Sequence, residues 1–120
     1  MVAQDDLQKK VDLAFLSAFY GGLLTEKQRR VLTLHCEEDL SLGEIAGEMG
    51  ISRQAAHETL KRAEERLTEL ETALGTAKRF RRMTEGLEAA LRSLEREDYG
   101  QVKRTLSELL AWDTEEKNGL

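Results

Sequence analysis

Apolar positions recur at helical spacing along almost the whole chain, and the breaks fall at glycines and at residues suited to capping helices. Leu7, Val11, Ala14 and Ala18 share one helical line with Phe15 and Phe19 beside it, which predicts a helix over about 6–20 ended by Gly21-Gly22. Leu23 and Leu24 lead into Thr25, an N-cap with Gln28 at the capping-box position. The helix it opens, over about 26–37, buries Val31, Leu32 and either Leu34 or Cys36, and Glu38-Asp39-Leu40 connects it to the next element. Ser41 with Glu44 forms a second capping box, and Ile45, Ala46 and Met49 follow on one face. Gly50 can take the positive φ needed to leave that helix sharply, Ile51 plugs the turn, and Ser52 caps a further helix opening with Arg53-Gln54. Ala46 is small enough to let two crossing helices approach closely. This is the layout of a helix-turn-helix, whose second helix normally enters the DNA major groove.

The pattern continues past the length of a minimal recognition helix. Ala56, Leu60, Ala63, Leu67, Leu70 and Leu74 alternate at spacings of four and three, the rhythm of a coiled-coil seam. Gly75 interrupts it, and Thr76 starts a second seam of Phe80, Met83, Leu87, Leu91 and Leu94. A short helix from Asp98, with Gln101 at the capping-box position, carries Val102, Leu106, Leu109, Leu110 and Trp112, and Asp113 to Leu120 read as frayed. The seams must be covered, either by each other in a helical hairpin or by a second subunit; the reading favours a homodimer, because a twofold axis lets two heads engage successive major-groove faces.

Composition supports an all-α protein: the 120 residues include no proline and only 5% aromatics, while 34% are charged. No stretch is long and apolar enough to insert in a membrane, and the start, with Asp5 and Asp6, does not resemble a signal peptide, so a cytoplasmic location is expected. The single Cys36 cannot make an intramolecular disulfide, and its neighbour His35 has no further ligand cluster, so neither a metal nor a cofactor is expected. No phosphate loop, nucleophile–base arrangement or paired-carboxylate site stands out, and no residue is assigned a catalytic role. The net charge of −5, and seven basic against nine acidic residues over 25–66, argue against a strong nonspecific hold on nucleic acid.

Leu24-Thr25-Glu26-Lys27-Gln28-Arg29, then Asp39-Leu40-Ser41-Leu42-Gly43-Glu44-Ile45-Ala46 and Ile51-Ser52-Arg53-Gln54-Ala55, resemble the YlxM family, and the Phe19-Tyr20 pair fits as well. These are small bacterial proteins with a helix-turn-helix similar to region 4 of sigma factors. The resemblance spans roughly residues 7–80 and leaves residues beyond about 98 unexplained. It implies a DNA-binding regulatory protein linked to the signal recognition particle pathway, a link the family owes to gene neighbourhood with the particle's GTPase. The fold class expected is therefore all-α: a sigma-region-4-like helix-turn-helix without a wing, with an N-terminal helix and a C-terminal helical extension. Its domains are expected at 1–75, DNA-binding, and 76–120, an extension suited to dimerisation.

With the recognition helix starting after Ser52, Arg53, Gln54, His57 and Glu58 are the candidate base readers, since Arg pairs with guanine and Gln with adenine. The resemblance to sigma region 4 singles out Arg53, Gln54 and Glu58. Where those proteins often carry another basic residue this chain has Ala55, which removes one contact. Ser41, Arg29, Arg30, Lys61, Arg62 and Arg66 are the candidate phosphate contacts. The bland readings are first-turn residues in solvent, an ordinary exposed histidine, and a salt-bridged surface in which Lys61 meets Glu65 and Arg62 meets Glu58. Lys78, Arg79, Arg81 and Arg82 form the densest positive run, read either as a solvated face around an inward Phe80 or as an RNA or phosphate contact. The partners expected are double-stranded DNA, a second copy of the chain and, in the alternative adaptor reading, signal recognition particle protein or RNA.

Overall fold

The protein is described here by a computed structural model covering the backbone of residues 2–118 and the side chains of residues 5–115. Among the described residues there are six α-helices and no strand: α1 (Val2–Tyr20), α2 (Glu26–Leu32), α3 (Leu42–Met49), α4 (Arg53–Leu74), α5 (Thr76–Glu95) and α6 (Tyr99–Asn118). They form two compact units, residues 1–77 and 78–120.

In the first unit, capping residues fix where α2 and α3 begin. Thr25 and Gln28 exchange the two hydrogen bonds of a capping box, and Ser41 and Glu44 do the same. The apolar side chains of α1 to α4 then meet in one core around Val31, Ile45, Ala56, Ala63 and Leu67. The helix predicted over 26–37 is α-helical only to Leu32; Thr33–Glu37 widen into a π-turn, closed by the Glu38 N–H donating to the Thr33 carbonyl at 3.2 Å. The wider turn keeps Leu34 in the core and leaves Cys36 half-buried, which settles the sequence alternative in favour of Leu34. The seam on α4 is buried from Ala56 to Leu70, whereas its last member, Leu74, is exposed.

Tyr20, at the end of α1, is buried and ties this unit across 51 residues of sequence. Its hydroxyl donates to Glu71 Oε1 at 2.5 Å and accepts the Thr76 N–H at 3.0 Å. Glu71 Oε1 also accepts the Ala77 N–H at 3.1 Å. Two N–H groups that the first turn of a helix leaves without intrahelical partners are thereby satisfied.

The second unit is an antiparallel pair of helices. Arg79 meets Asp113, Arg82 lies over the Trp112 ring, and a Cβ on Gly86 would stand 2.8 Å from Leu109, so numbers rise on one helix as they fall on the other. Here the structure narrows the sequence reading. The face α5 buries is its small one, with Ala90 and Ser93 buried, because small residues let Leu109 approach closely. Phe80, Leu87, Leu91 and Leu94, the seam that the sequence leaves to another helix or to a second subunit, are all exposed in the single chain. The residues from Asp113 to Asn118, expected to fray, are helical, with Asp113 held by Arg79 and the Thr114 hydroxyl bonded to the Leu110 carbonyl. Residues 119 and 120 lie outside the described residues.

Candidate nucleic-acid interface

The candidate reading surface starts from the turn between α3 and α4. Gly50 adopts φ 65°, ψ 36°, a left-handed conformation that costs a residue with a Cβ about 1–2 kcal/mol. The Gly50 and Ile51 N–H groups both donate to the Ala46 carbonyl, the latter at 3.0 Å, and Ile51 packs against the core. Ser52 then accepts the Ala55 N–H at 3.0 Å and starts α4. Fully buried Ile45 and Ala56 hold the two helices at their crossing.

This geometry leaves Arg53, Gln54, His57, Glu58, Lys61 and Arg62 exposed on α4, with Ala56 and Leu60 turned into the core. On these three turns Arg53, Lys61 and Arg62 stand against Glu58 alone, so the outward face is positive although residues 25–66 carry a net negative charge. Farther along, Arg66 pairs with Glu69 at 3.6 Å, and Glu64 pairs with Lys9 of α1 at 3.4 Å.

The remaining predicted phosphate contacts differ in what already occupies them. Ser41 is exposed, but its hydroxyl caps α3 by accepting the Glu44 N–H at 3.1 Å. Hydrogen bonds from the Ser41 N–H and then its hydroxyl hold the Glu44 carboxyl below its usual pKa. The Arg29 guanidinium donates to the carbonyls of Gly21 (3.2 Å) and Leu24 (3.1 Å) and straps the end of the first inter-helix turn; Arg29 and Arg30 are both exposed residues. In the basic run of α5, Lys78 and Arg81 are exposed, Arg79 Nε donates to Asp113 at 2.8 Å, and Arg82 sits 5.6 Å from the Trp112 ring centroid.

One feature of the first unit has no counterpart in the sequence reading. An open cleft of about 410 Å³ runs beside α4 and is lined by Asp6, Lys9, His35, His57, Leu60, Lys61 and Glu64. His57 and Lys61 thus face both the outer surface and α1. Burial lowers the His35 pKa from its ordinary value, and nearby Lys10 lowers it further. Burial also pushes the Cys36 thiol up. Spacing along the chain carries no signal for this cleft, since its residues come from three separate elements. Among the described residues no group of three or more His, Cys, Asp or Glu is placed to hold a metal, and no helix is long and apolar enough to cross a membrane.

A bundle of short helices closing on a capped helix–turn–helix, with an exposed and locally positive second helix, defines the chain as an all-α helix-turn-helix protein. The family model described as "Putative helix-turn-helix protein, YlxM / p13 like" matches residues 7–108, and the chain belongs to this family. The match reaches well past residue 80, so α5 and half of α6 are part of the family pattern. Similar proteins bear the name UPF0122, under which this family is described. The UPF0122 protein of Desulforamulus reducens is 42% identical over 91 residues, 76% of this chain and 78% of that protein. The UPF0122 protein of Symbiobacterium thermophilum is 40% identical over 99 residues, covering 82% and 92%. That of Halalkalibacterium halodurans is 36% identical over 104 residues, covering 87% and 95%.

Proposed function

We propose that this protein is a cytoplasmic DNA-binding regulator without chemistry of its own, reading duplex DNA through a sigma-region-4-like helix-turn-helix. The observation that supports this best is the exposed start of α4. Arg53 and Gln54 occupy its first turn, next to the Gly50–Ser52 turn, where side chains reach base edges when such a helix enters the major groove. In this reading Arg53, Gln54, His57 and Glu58 face the bases. Arg30, Lys61, Arg62 and Arg66 serve the backbone with the capped start of α3 at Ser41, and Arg29 contributes by fixing the turn from which Arg30 projects. Few cations meet the phosphates, so one head binds weakly; pairing two heads in a homodimer raises affinity through effective concentration.

The test is selection from random duplex DNA at low salt, followed by titration of the enriched site. Replacing Arg53 by Ala is expected to weaken that site by about 1–3 kcal/mol and to relax specificity at one base pair, with helicity unchanged. The affinity should fall with a shallow salt slope, as few phosphate contacts require. Enrichment of no sequence overturns the reading. A second reading rests on the basic run: Lys78, Arg81 and Arg82, joined by Arg79, make α5 an RNA- or protein-contacting element that serves the signal recognition particle pathway. Copurification with the particle's protein and RNA, lost on reversing those four charges, is the expected result for it.

A further inference from the structure

The second unit uses its small residues for its internal contact and leaves its large ones outside. Phe80, Leu87, Leu91 and Leu94 on α5 and Tyr99, Leu106 and Leu110 on α6 are each exposed, from 41% for Leu106 to 70% for Leu110. Helical periodicity places all seven on one side of the pair. On α5 the exposed stripe lies about a quarter turn from the Gly86–Ala90–Ser93 contact face, and on α6 Leu106, Leu110 and Tyr99 lie about a quarter turn from Leu109. Because the helices are antiparallel, these rotations bring both stripes to the same flank, and the Arg82–Trp112 contact marks the opposite one. At roughly 150–200 Å² per fully exposed large side chain, the seven leave on the order of 600–750 Å², close to the ~800 Å² that a standard interface takes from each partner.

We propose that this face is covered by the same face of a second copy of the chain, with the two α5 helices antiparallel about a twofold axis at Leu87. The inference deepens the homodimer included in the DNA-binding reading and rests on it. The apolar stripe is symmetric in spacing about Leu87: an antiparallel copy sets Phe80 against Leu94, Met83 against Leu91, and Leu87 against itself. The charges run the same way. The first part of α5 carries Lys78, Arg79, Arg81 and Arg82 with no acid among residues 76–84. Residues 85–98 carry Glu85, Glu88, Glu95, Glu97 and Asp98 against Arg92 and Arg96. Antiparallel packing brings Arg81, beside the stripe, near Glu95 of the second copy, twice over; parallel packing stacks the basic ends on each other. Like charges also come near in the antiparallel arrangement: Glu88 lies close to its own counterpart at the axis, and Arg92 falls one residue from the position opposite Arg81 on the outer flank.

Sedimentation of the full chain over a hundredfold concentration range tests association, with twice the 13.6 kDa chain mass expected. Leu87→Glu sets two carboxylates on the axis and is expected to give a monomer in which the first unit stays folded, since Leu87 lies outside that unit and is exposed in the single chain. Register is read in a Cys36→Ala background with a short bis-maleimide. Phe80→Cys mixed with Leu94→Cys should cross-link efficiently, and neither variant alone should. A monomeric wild-type chain, or a dimer that Leu87→Glu leaves intact, overturns the proposal; self-linking of Phe80→Cys overturns the antiparallel arrangement. The DNA reading is judged separately: a monomeric Leu87→Glu chain that still prefers the enriched site, and loses that preference with Arg53→Ala, keeps the head's function whatever becomes of this interface.

Discussion

At the scale of single residues, the side chain with the most structural consequence in the first unit is Tyr20. A buried phenol that donates to one carboxylate and accepts one N–H joins α1, the end of α4 and the start of α5 through one oxygen. Removing that oxygen takes the acceptor from the Thr76 N–H and the donor from the Glu71 carboxylate, and a hydrogen bond to a charged group contributes about 1.5–3 kcal/mol. Tyr20→Phe is therefore expected to lower unfolding free energy by that amount in a urea titration, with little change in native helicity. Little of this was legible beforehand. The Phe19–Tyr20 pair entered the sequence reading only through the family resemblance, and nothing in the spacing of Tyr20, Glu71 and Thr76 announces a contact across 51 residues. Residues read through their immediate neighbours fared better: Thr25, Gln28, Ser41, Glu44, Gly50 and Ser52 each occupy the cap or turn that their chemistry suggested, because those interactions close within three or four positions.

At the scale of elements, α3 and the turn that ends it carry two glycines with opposite demands. Gly50 sits at φ 65°, while Gly47 lies within α3, is exposed, and has nothing within 4 Å of where a Cβ would stand. Gly50→Ala is expected to destabilise the first unit by about 1–2 kcal/mol, the cost of a Cβ in the left-handed region. Gly47→Ala should instead stabilise it by about 0.5–1 kcal/mol, the helix-propensity difference. Thermal unfolding of the two variants beside wild type checks both signs. Helix positions were legible for the same reason as the caps, since periodicity and capping are local. Which face of a helix is buried was legible only where one candidate existed. Along α4 the seam from Ala56 to Leu70 is the buried face. Along α5 two faces competed: large residues made the clearer pattern, but close approach at Gly86 favoured the small one. The π-turn at Thr33–Glu37 was likewise hidden, because its sequence suits an ordinary helix equally well.

Across the whole molecule, burial is distributed very unevenly. The first unit closes around a cluster that includes Leu13, Val31, Leu32, Ile45, Leu60 and Leu67, whereas the second fully buries only Ala90, Ser93 and Leu109 among its described side chains. Fully burying one leucine contributes about 1.5–3 kcal/mol, while ordering a residue's backbone costs about 1–2 kcal/mol. The second unit's internal contacts therefore offset little of its ordering entropy, and the ion pair between Arg79 and half-buried Asp113 adds only modestly. In the proposed dimer, covering the apolar flank supplies the remainder, which would link the stability of α5 and α6 to association by mass action. Native-state amide exchange should show this directly. Protection in α2 to α4 is expected to be independent of protein concentration, and protection in α5 and α6 to rise with it until the dimer saturates. Equal protection in the two units at every concentration would mean that the hairpin is stable without a partner, and that its exposed leucines are kept for some other contact.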